Sequence, residues 1–421
     1  MKKLLTWIGR FFAFLFALIT LVVVGIGIWI LFQPSLPESA TTLNEEYLIS
    51  DEYRSLADSN LLKMQKLSEE MGLPSLSVAL SIDNKIIWAA AIGYADLKEK
   101  LSNNLQTAYR SGSVSKSMAG LAAAKLSEQG KLDLEAPISS YIDVLQDKRW
   151  DPTLKQLASH TGGIRHYSQP GHPSFVSEQL SKRHYNSVEE SLVIFASDSL
   201  LYEPGTGFRY STHSFTLFSA AMEKGANQPY LEIVRELVWE PAGMALTRAD
   251  DFTVDQTNRI RPYTKIAARY LDIEGPDPSY KWAGGGILST PSDLVKMGGA
   301  FMQRKILSRG PADSVFITLP LRDGTPNPDG YAMGWRNTEE TESMDSEERI
   351  RAMHHGGASP GGSTFLLLLP DDNLSIAVMS NLSISNSWPL REMAFKIAAQ
   401  FRAYEIAKDI NGEEKDILNA L

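Results

Sequence analysis

From Phe11 to Phe32 the chain reads FFAFLFALITLVVVGIGIWILF, 22 residues without a charge. At about 1.5 Å of rise per helical residue this stretch covers a hydrocarbon layer of ~30 Å, so it is expected to form a membrane span separate from whatever folds behind it. Lys2, Lys3 and Arg10 precede it, and Glu38, Glu45 and Glu46 follow. The positive-inside rule then puts Met1 in the cytoplasm and the body outside, anchored in the inner (cytoplasmic) membrane and facing a space such as a periplasm. A cleaved secretory signal is the alternative. The stretch exceeds the usual apolar region of about 7–15 residues, and a cut near Ala40 would set Glu38 where a small residue is wanted.

The 421 residues carry a formal net charge of −9, although the first 32 hold three basic residues and no acid. So acidic a body is a poor nucleic-acid ligand, because counterion release needs clustered Lys and Arg. Cysteine is absent. That removes disulfides, thiolate metal sites and thiol nucleophiles, leaving oxygen or nitrogen for any covalent chemistry.

Residues 33–72 read as a Pro-containing exit, linker and lead-in helix. The body is expected over 73–406, with 407–421 as a tail. Ser75–Ile82 and Lys85–Tyr94, joined at Asp83-Asn84, form one expected hairpin; Ser363–Leu369 and Leu374–Ser380, joined by Pro370 to Asn373, form another. Helical periodicity and Gly/Pro punctuation fill the stretch between. The economical architecture is an α+β body: an antiparallel sheet from 73–110 and 350–406, flanked by helices such as Glu392–Ile406, with a mostly helical insertion over 113–340. The acidic run Glu339, Glu340, Glu342, Asp345, Glu347, Glu348 reads as a solvated loop.

The chemistry begins at Arg110-Ser111-Gly112-Ser113-Val114-Ser115-Lys116, where a helix starts at Val114 and ends near Gly130. Ser113 and Lys116, three apart, share a face of the first turn. Burial near the positive helix terminus lowers a lysine's pKa, and a neutral amine can then take the serine proton; the Ser113 N–H points at a developing oxyanion. Two further segments follow: Tyr210-Ser211-Thr212, after the turn at Pro204 to Gly207, and Met353-His354-His355-Gly356-Gly357, which leads into the last hairpin.

S-x-x-K, then Y-x-(N or a replacement), then a basic residue-x-G on a strand resembles the serine β-lactamase and penicillin-binding family, and within it the class C-like branch. The stretches at Gly163–Tyr167, Tyr210–Thr212, Ser279–Gly286 and His355–Ala358 look most like mitochondrial-type lactamase-like proteins and their bacterial cousins. The resemblance covers roughly Leu73 to Phe401. It implies that Ser113 attacks a carbonyl while Lys116 and Tyr210 shuttle its proton. It also implies that Thr212 and a third-motif histidine with its glycines line the substrate site and oxyanion hole. His354-x-Gly356 is the preferred register, with Gly357 as the second oxyanion donor; His355-x-Gly357 is the rival. With His354 as partner for a substrate carboxylate, that contact weakens as pH rises through about 6.5. Thr212 departs from the Asn of the wider family and offers one donor in place of two donors and an acceptor. His160 and His166 read as structural or cleft-mouth residues, and His172, His184 and His213 as surface or supporting ones.

Gly357-Ala358-Ser359-Pro360-Gly361 matches a nucleophile elbow by letters, but Pro360 and a strand follow instead of a helix, and no histidine comes later. No H-E-x-x-H helix or third dinucleotide-loop glycine is present, so neither metal nor cofactor is expected. The reading is an anchored serine hydrolase acting through an acyl-enzyme on small peptides, amides or esters, peptidase or D-amino-acid amidase first. Esterase or weak β-lactamase comes second, and a self-assembling homo-oligomer that keeps the fold is the third possibility. Since hydrophobic burial is not screened by salt, the chain is expected to stay with membranes through high-salt and carbonate washes with residues 1–32 intact. Release by salt, or a mature N-terminus near Ala40 by intact mass, would contradict the anchor.

Overall fold

The computed structural model describes residues 2–420 apart from 168, 170, 309–315 and 385–387. Six helices organise it: α1 (Lys2–Leu31), α2 (Arg54–Met71), α3 (Ser115–Glu128), α4 (Thr212–Ala226), α5 (Pro291–Met302) and α6 (Trp388–Ala420). The principal strands are β1 (Leu43–Leu48), β2 (Ser75–Ile82), β3 (Lys85–Asp96), β4 (Tyr263–Ile266), β5 (Arg269–Asp272), β6 (Arg336–Glu340), β7 (Ile350–Ser359), β8 (Gly362–Leu369) and β9 (Leu374–Ser380).

Both expected hairpins form, the first through Asp83 and Asn84 at φ 52° and 60°, the paired left-handed conformation that matches strand twist. They join side by side in one antiparallel sheet of order β1-β3-β2-β9-β8-β7-β6, so both ends of the body share it. Strand β9 shows why the sheet is central. Leu374, Ile376 and Val378 enter one core with α2 and α6, whereas Ala377 and Met379 enter the other with α3, α4 and α5. Alternation puts successive side chains on opposite faces, and both faces are covered by helices.

Three boundaries differ from the sequence reading. Leu43–Leu48, placed in the linker, is the edge strand beside β3, with Leu43 and Leu48 packed on the core. The insertion contributes β6 to the main sheet, a hairpin β4–β5, and the strands 248–249 and 287–289, which form a small sheet with 109–110. Helix α6 continues past Ile406 through the expected tail. The acidic run is also partly structural, since Glu340 is buried and accepts from Arg391 Nη2 at 2.7 Å.

The segment before Ser113 is fixed by a buried ion cluster. Arg110 Nε donates to Asp250 at 2.8 Å and its Nη1 to Pro360 O at 2.6 Å, while Arg259 Nε donates to the other Asp250 oxygen at 2.7 Å. Asp250→Ala would strand Arg110, almost wholly buried, without its carboxylate. A loss of about 3–5 kcal/mol is expected, read as a lower urea midpoint in detergent solution at unchanged slope.

Candidate active site

A single tight turn, Gly112–Val114, leads into α3, leaving Ser113 half-buried and Lys116 fully buried on the same side one turn later. Lys116 Nζ lies 3.3 Å from Ser113 Oγ, 3.2 Å from Thr212 Oγ1 and 2.5 Å from Gly284 O. Among the described residues no carboxylate pairs with it. The contact set fits a neutral amine: two N–H groups donate to the Gly284 carbonyl and the Thr212 hydroxyl, and the lone pair accepts from Ser113 O–H. Burial, then the nearby cations Lys281 and Arg336, holds Lys116 well below its usual value of 10.5. The approach of Gly284 requires glycine, because a Cβ there would meet Thr212 Cγ2 at 2.5 Å.

Tyr210 precedes α4 with its hydroxyl beside Ser113; burial raises its pKa, so it is a phenol and not a phenolate. Lys116 Nζ sits 4.8 Å from the Tyr210 ring centroid. Two histidines set this segment. His160 Nδ1 accepts from the Ser211 N–H and His166 Nδ1 from the Thr212 N–H, each at 3.1 Å, satisfying donors where α4 begins. The His160 ring, held at φ 64°, lies 4.3 Å from that of Tyr210. Burial drives both histidines neutral, His166 to about 2. Sequence reading gave them bland roles, yet both contact the motif, and the signal was only that they flank Thr161–Arg165. His213 is buried beside Glu178 and Arg165, His184 meets Asp277, and His172 meets Ser174.

The preferred third-motif register is corrected. Strand alternation puts His355 and Gly357 on the α3 side and turns His354 and Gly356 to the other face. His354 stacks on Phe365 at 5.4 Å and meets Phe395 of α6; neither of its ring nitrogens is hydrogen-bonded. A Cβ on Gly357 would meet Ser111 O at 2.1 Å, so the glycine lets the strand touch the nucleophile turn. His355 Nδ1 donates to Gly356 O at 2.7 Å, which fixes Nε2 as acceptor from Tyr331 O–H at 2.8 Å. Burial and Arg336 keep both imidazoles neutral, His354 at about 3. Neither imidazole is then the charged carboxylate partner, fading through pH 6.5, that the sequence leads one to expect.

Beyond the pair of Arg336 with His354, no strand among the described residues pairs with the outer edge of β7, and the Gly112 turn lies against it at Ala358. The cleft of about 410 Å³ wraps this edge, lined by Ser113, Tyr210, His355 and Arg336 near the nucleophile, and by His354, Gly356, Phe365, Trp388 and Arg391 beyond it. Arg336, which no sequence signal marked, lies 5.7 Å from the Tyr210 ring and pairs with Asp329 at 2.9 Å. A larger cavity of about 550 Å³ beside Trp239 holds no serine–lysine pair. Lys281 is a second buried lysine, over the rings of Tyr167 and Tyr280 at 4.9 and 5.2 Å, lowered to about 8 by burial and then Arg110. No group of three or more metal-ligating side chains occurs among the described residues.

This arrangement on this fold defines a serine hydrolase of the β-lactamase-like class. The Beta-lactamase family model matches residues 63–396, and the chain belongs to that family. The serine beta-lactamase-like protein LACTB, mitochondrial, of Homo sapiens is 28% identical over 433 residues, covering 80% of this chain and 78% of that protein. Among solved structures, EstCE1, a hydrolase with promiscuous acyltransferase activity, superposes with TM-score 0.70 at 23% identity over 82% of this chain and 99% of its own. The D-stereospecific amidohydrolase from Streptomyces sp. gives 0.65 at 19% identity over 80% and 98%.

A lysine base acts in its neutral form, so activity should rise as pH passes up through the depressed Lys116 value and level off well below the ordinary lysine value of 10.5. Lys116→Arg, cationic throughout, should stay inactive across the profile. A wild-type kcat/KM that climbs only near pH 10.5, or an active Lys116→Arg, would contradict the neutral-amine geometry.

Proposed function

We propose that the protein is a membrane-anchored hydrolase whose nucleophile is Ser113 and whose general base is Lys116, acting through an acyl-enzyme on small peptides or amides outside the cytoplasm. The observation that carries this reading is the contact set of Lys116: a buried amine with two acceptors, no acid, and its remaining valence directed at Ser113 Oγ. The Ser113 proton passes to Lys116 Nζ as Oγ adds to the carbonyl carbon. The oxyanion is met by the N–H of Ser113 and by that of Ala358 on the outer edge of β7, against which the Gly112 backbone lies. The Tyr210 hydroxyl, beside Ser113, hands a proton to the leaving nitrogen and is reprotonated from Lys116. Water then repeats the sequence on the acyl carbon and frees the serine.

In this reading His355 is the third-motif histidine and acts as a neutral prop between Tyr331 and the strand, in place of a charged handle. Peptidase or amidase action is favoured over esterase action because a body outside the membrane meets peptides. The anchor is supported by α1, whose segment Arg10–Leu31 has mean hydropathy 2.8, and by an exit segment built into the body, with Ala40 only 1% exposed. Thr212 already accepts from Lys116, which leaves one hydroxyl proton for a substrate, so a β-lactam is held by one hydrogen bond fewer than an Asn would allow.

A fluorophosphonate probe should label the wild type and not Ser113→Ala, with melting temperatures within a few degrees of each other. In paired assays, hydrolysis of a nitrophenyl ester or anilide should exceed that of a chromogenic cephalosporin, and Thr212→Asn should raise cephalosporin turnover about three- to tenfold. Labelling of Ser113→Ala would move the nucleophile elsewhere. Rapid cephalosporin turnover by the wild type, with no gain from Asn, would refute the role given to Thr212.

A further inference from the structure

The hairpin β4–β5 is tied to the end of the apolar helix. Tyr270 N–H donates to Pro34 O at 2.9 Å, and Arg269 Nη1 donates to Gln33 O at 3.1 Å. The Tyr270 hydroxyl donates to Gly72 O at 2.7 Å, fastening the same strand to the end of α2. Pro34 is three residues past Leu31, the last residue of the apolar segment. At most ~3.5 Å per residue, three residues reach about 10 Å, while the headgroup layer on each side of the hydrocarbon is roughly 5–8 Å thick. Anything bonded to Gln33 and Pro34 therefore sits in or at the edge of the headgroups.

The hairpin tip has the composition for that place. Lys265, Ile266, Ala267 and Ala268 are all exposed, Ile266 by 44%. From Tyr263 to Leu271 the sequence YTKIAARYL holds two cations and no acid, in a chain of net charge −9. An exposed apolar turn flanked by cations suits a surface where acyl chains and anionic phosphates meet.

We propose that the β4–β5 hairpin is a foot that docks the body on the bilayer surface, its apolar tip among the headgroups, with Arg269 held at the helix exit and Lys265, whose Nζ rests near Gly72 and the Tyr270 ring, free to swing from there to anionic phosphates. This rests on the anchor reading and adds to it a fixed posture. The hairpin's root packs on the turn that ends β7, where Gly361 lies against Pro262 and Tyr263, so the foot also sets the height of the cleft edge above the membrane.

The absence of cysteine allows a clean test: Ala268→Cys in the full chain takes one environment-sensitive fluorophore and nothing else does. The labelled chain is reconstituted into vesicles of phosphatidylcholine alone or mixed with phosphatidylglycerol. It is then exposed either to aqueous iodide or to a headgroup-level nitroxide lipid. The foot predicts quenching by the nitroxide, protection from iodide, and a several-fold stronger effect with phosphatidylglycerol that salt reduces. Lys265→Glu with Ile266→Asp should abolish protection while sedimentation with vesicles and ester hydrolysis in detergent stay unchanged. A label as open to iodide as free dye, on chain that still sediments with vesicles after a carbonate wash, would overturn the foot and leave the anchor standing. Chain that leaves the vesicles in that wash would overturn both.

Discussion

A lysine amine removed from water without a counter-ion is the constraint around which the rest is arranged. Charged, Lys116 would carry a desolvation cost that its hydroxyl and carbonyl neighbours cannot repay; neutral, all of its hydrogen-bonding capacity is used. Lys281 and Arg336 push the same way, and the histidines around the site, His160, His166 and His355, are neutral for the same reason. The candidate site thus gathers an amine, a phenol and imidazoles whose charge has been withheld, in an otherwise acidic protein.

Holding that amine requires three distant parts of the chain to meet at backbone distance. The nucleophile turn presses on β7 at Gly357, the 282–285 turn on α4 at Gly284, and α4 starts on the imidazoles of His160 and His166. Arg110 binds the residue next to the motif to the turn after β7 and to Asp250. These contacts leave little room for the motif residues to drift, which would preorganise the proton transfer proposed for them.

The hairpins, the shared sheet and the apolar helix were legible because each leaves a local mark, turn residues, alternation or an uncharged run, and the fixed spacing of Ser113 and Lys116 marked where to look for the candidate site. Arg336 and the carbonyl of Gly284 left none, since an isolated arginine and a backbone oxygen carry no pattern. The edge strand Leu43–Leu48 was hidden by its polar sequence, LNEEYL, which is what the exposed side of a sheet edge tolerates. Glu340 looked like its acidic neighbours until Arg391 of α6 was seen beside it.

His354 and His355 mark the boundary between the two kinds of information. That a histidine and a glycine two residues on lead into the last hairpin could be read from the chain alone, because covalent order and strand periodicity are local properties. Which histidine faces Lys116 depends on the pairing of β7 with β8 and on which face packs against α3, and a shift of one residue exchanges every side chain between faces. That choice, and with it the neutral state of the imidazole, is made by contacts between segments remote in sequence, and only the tertiary structure contains them.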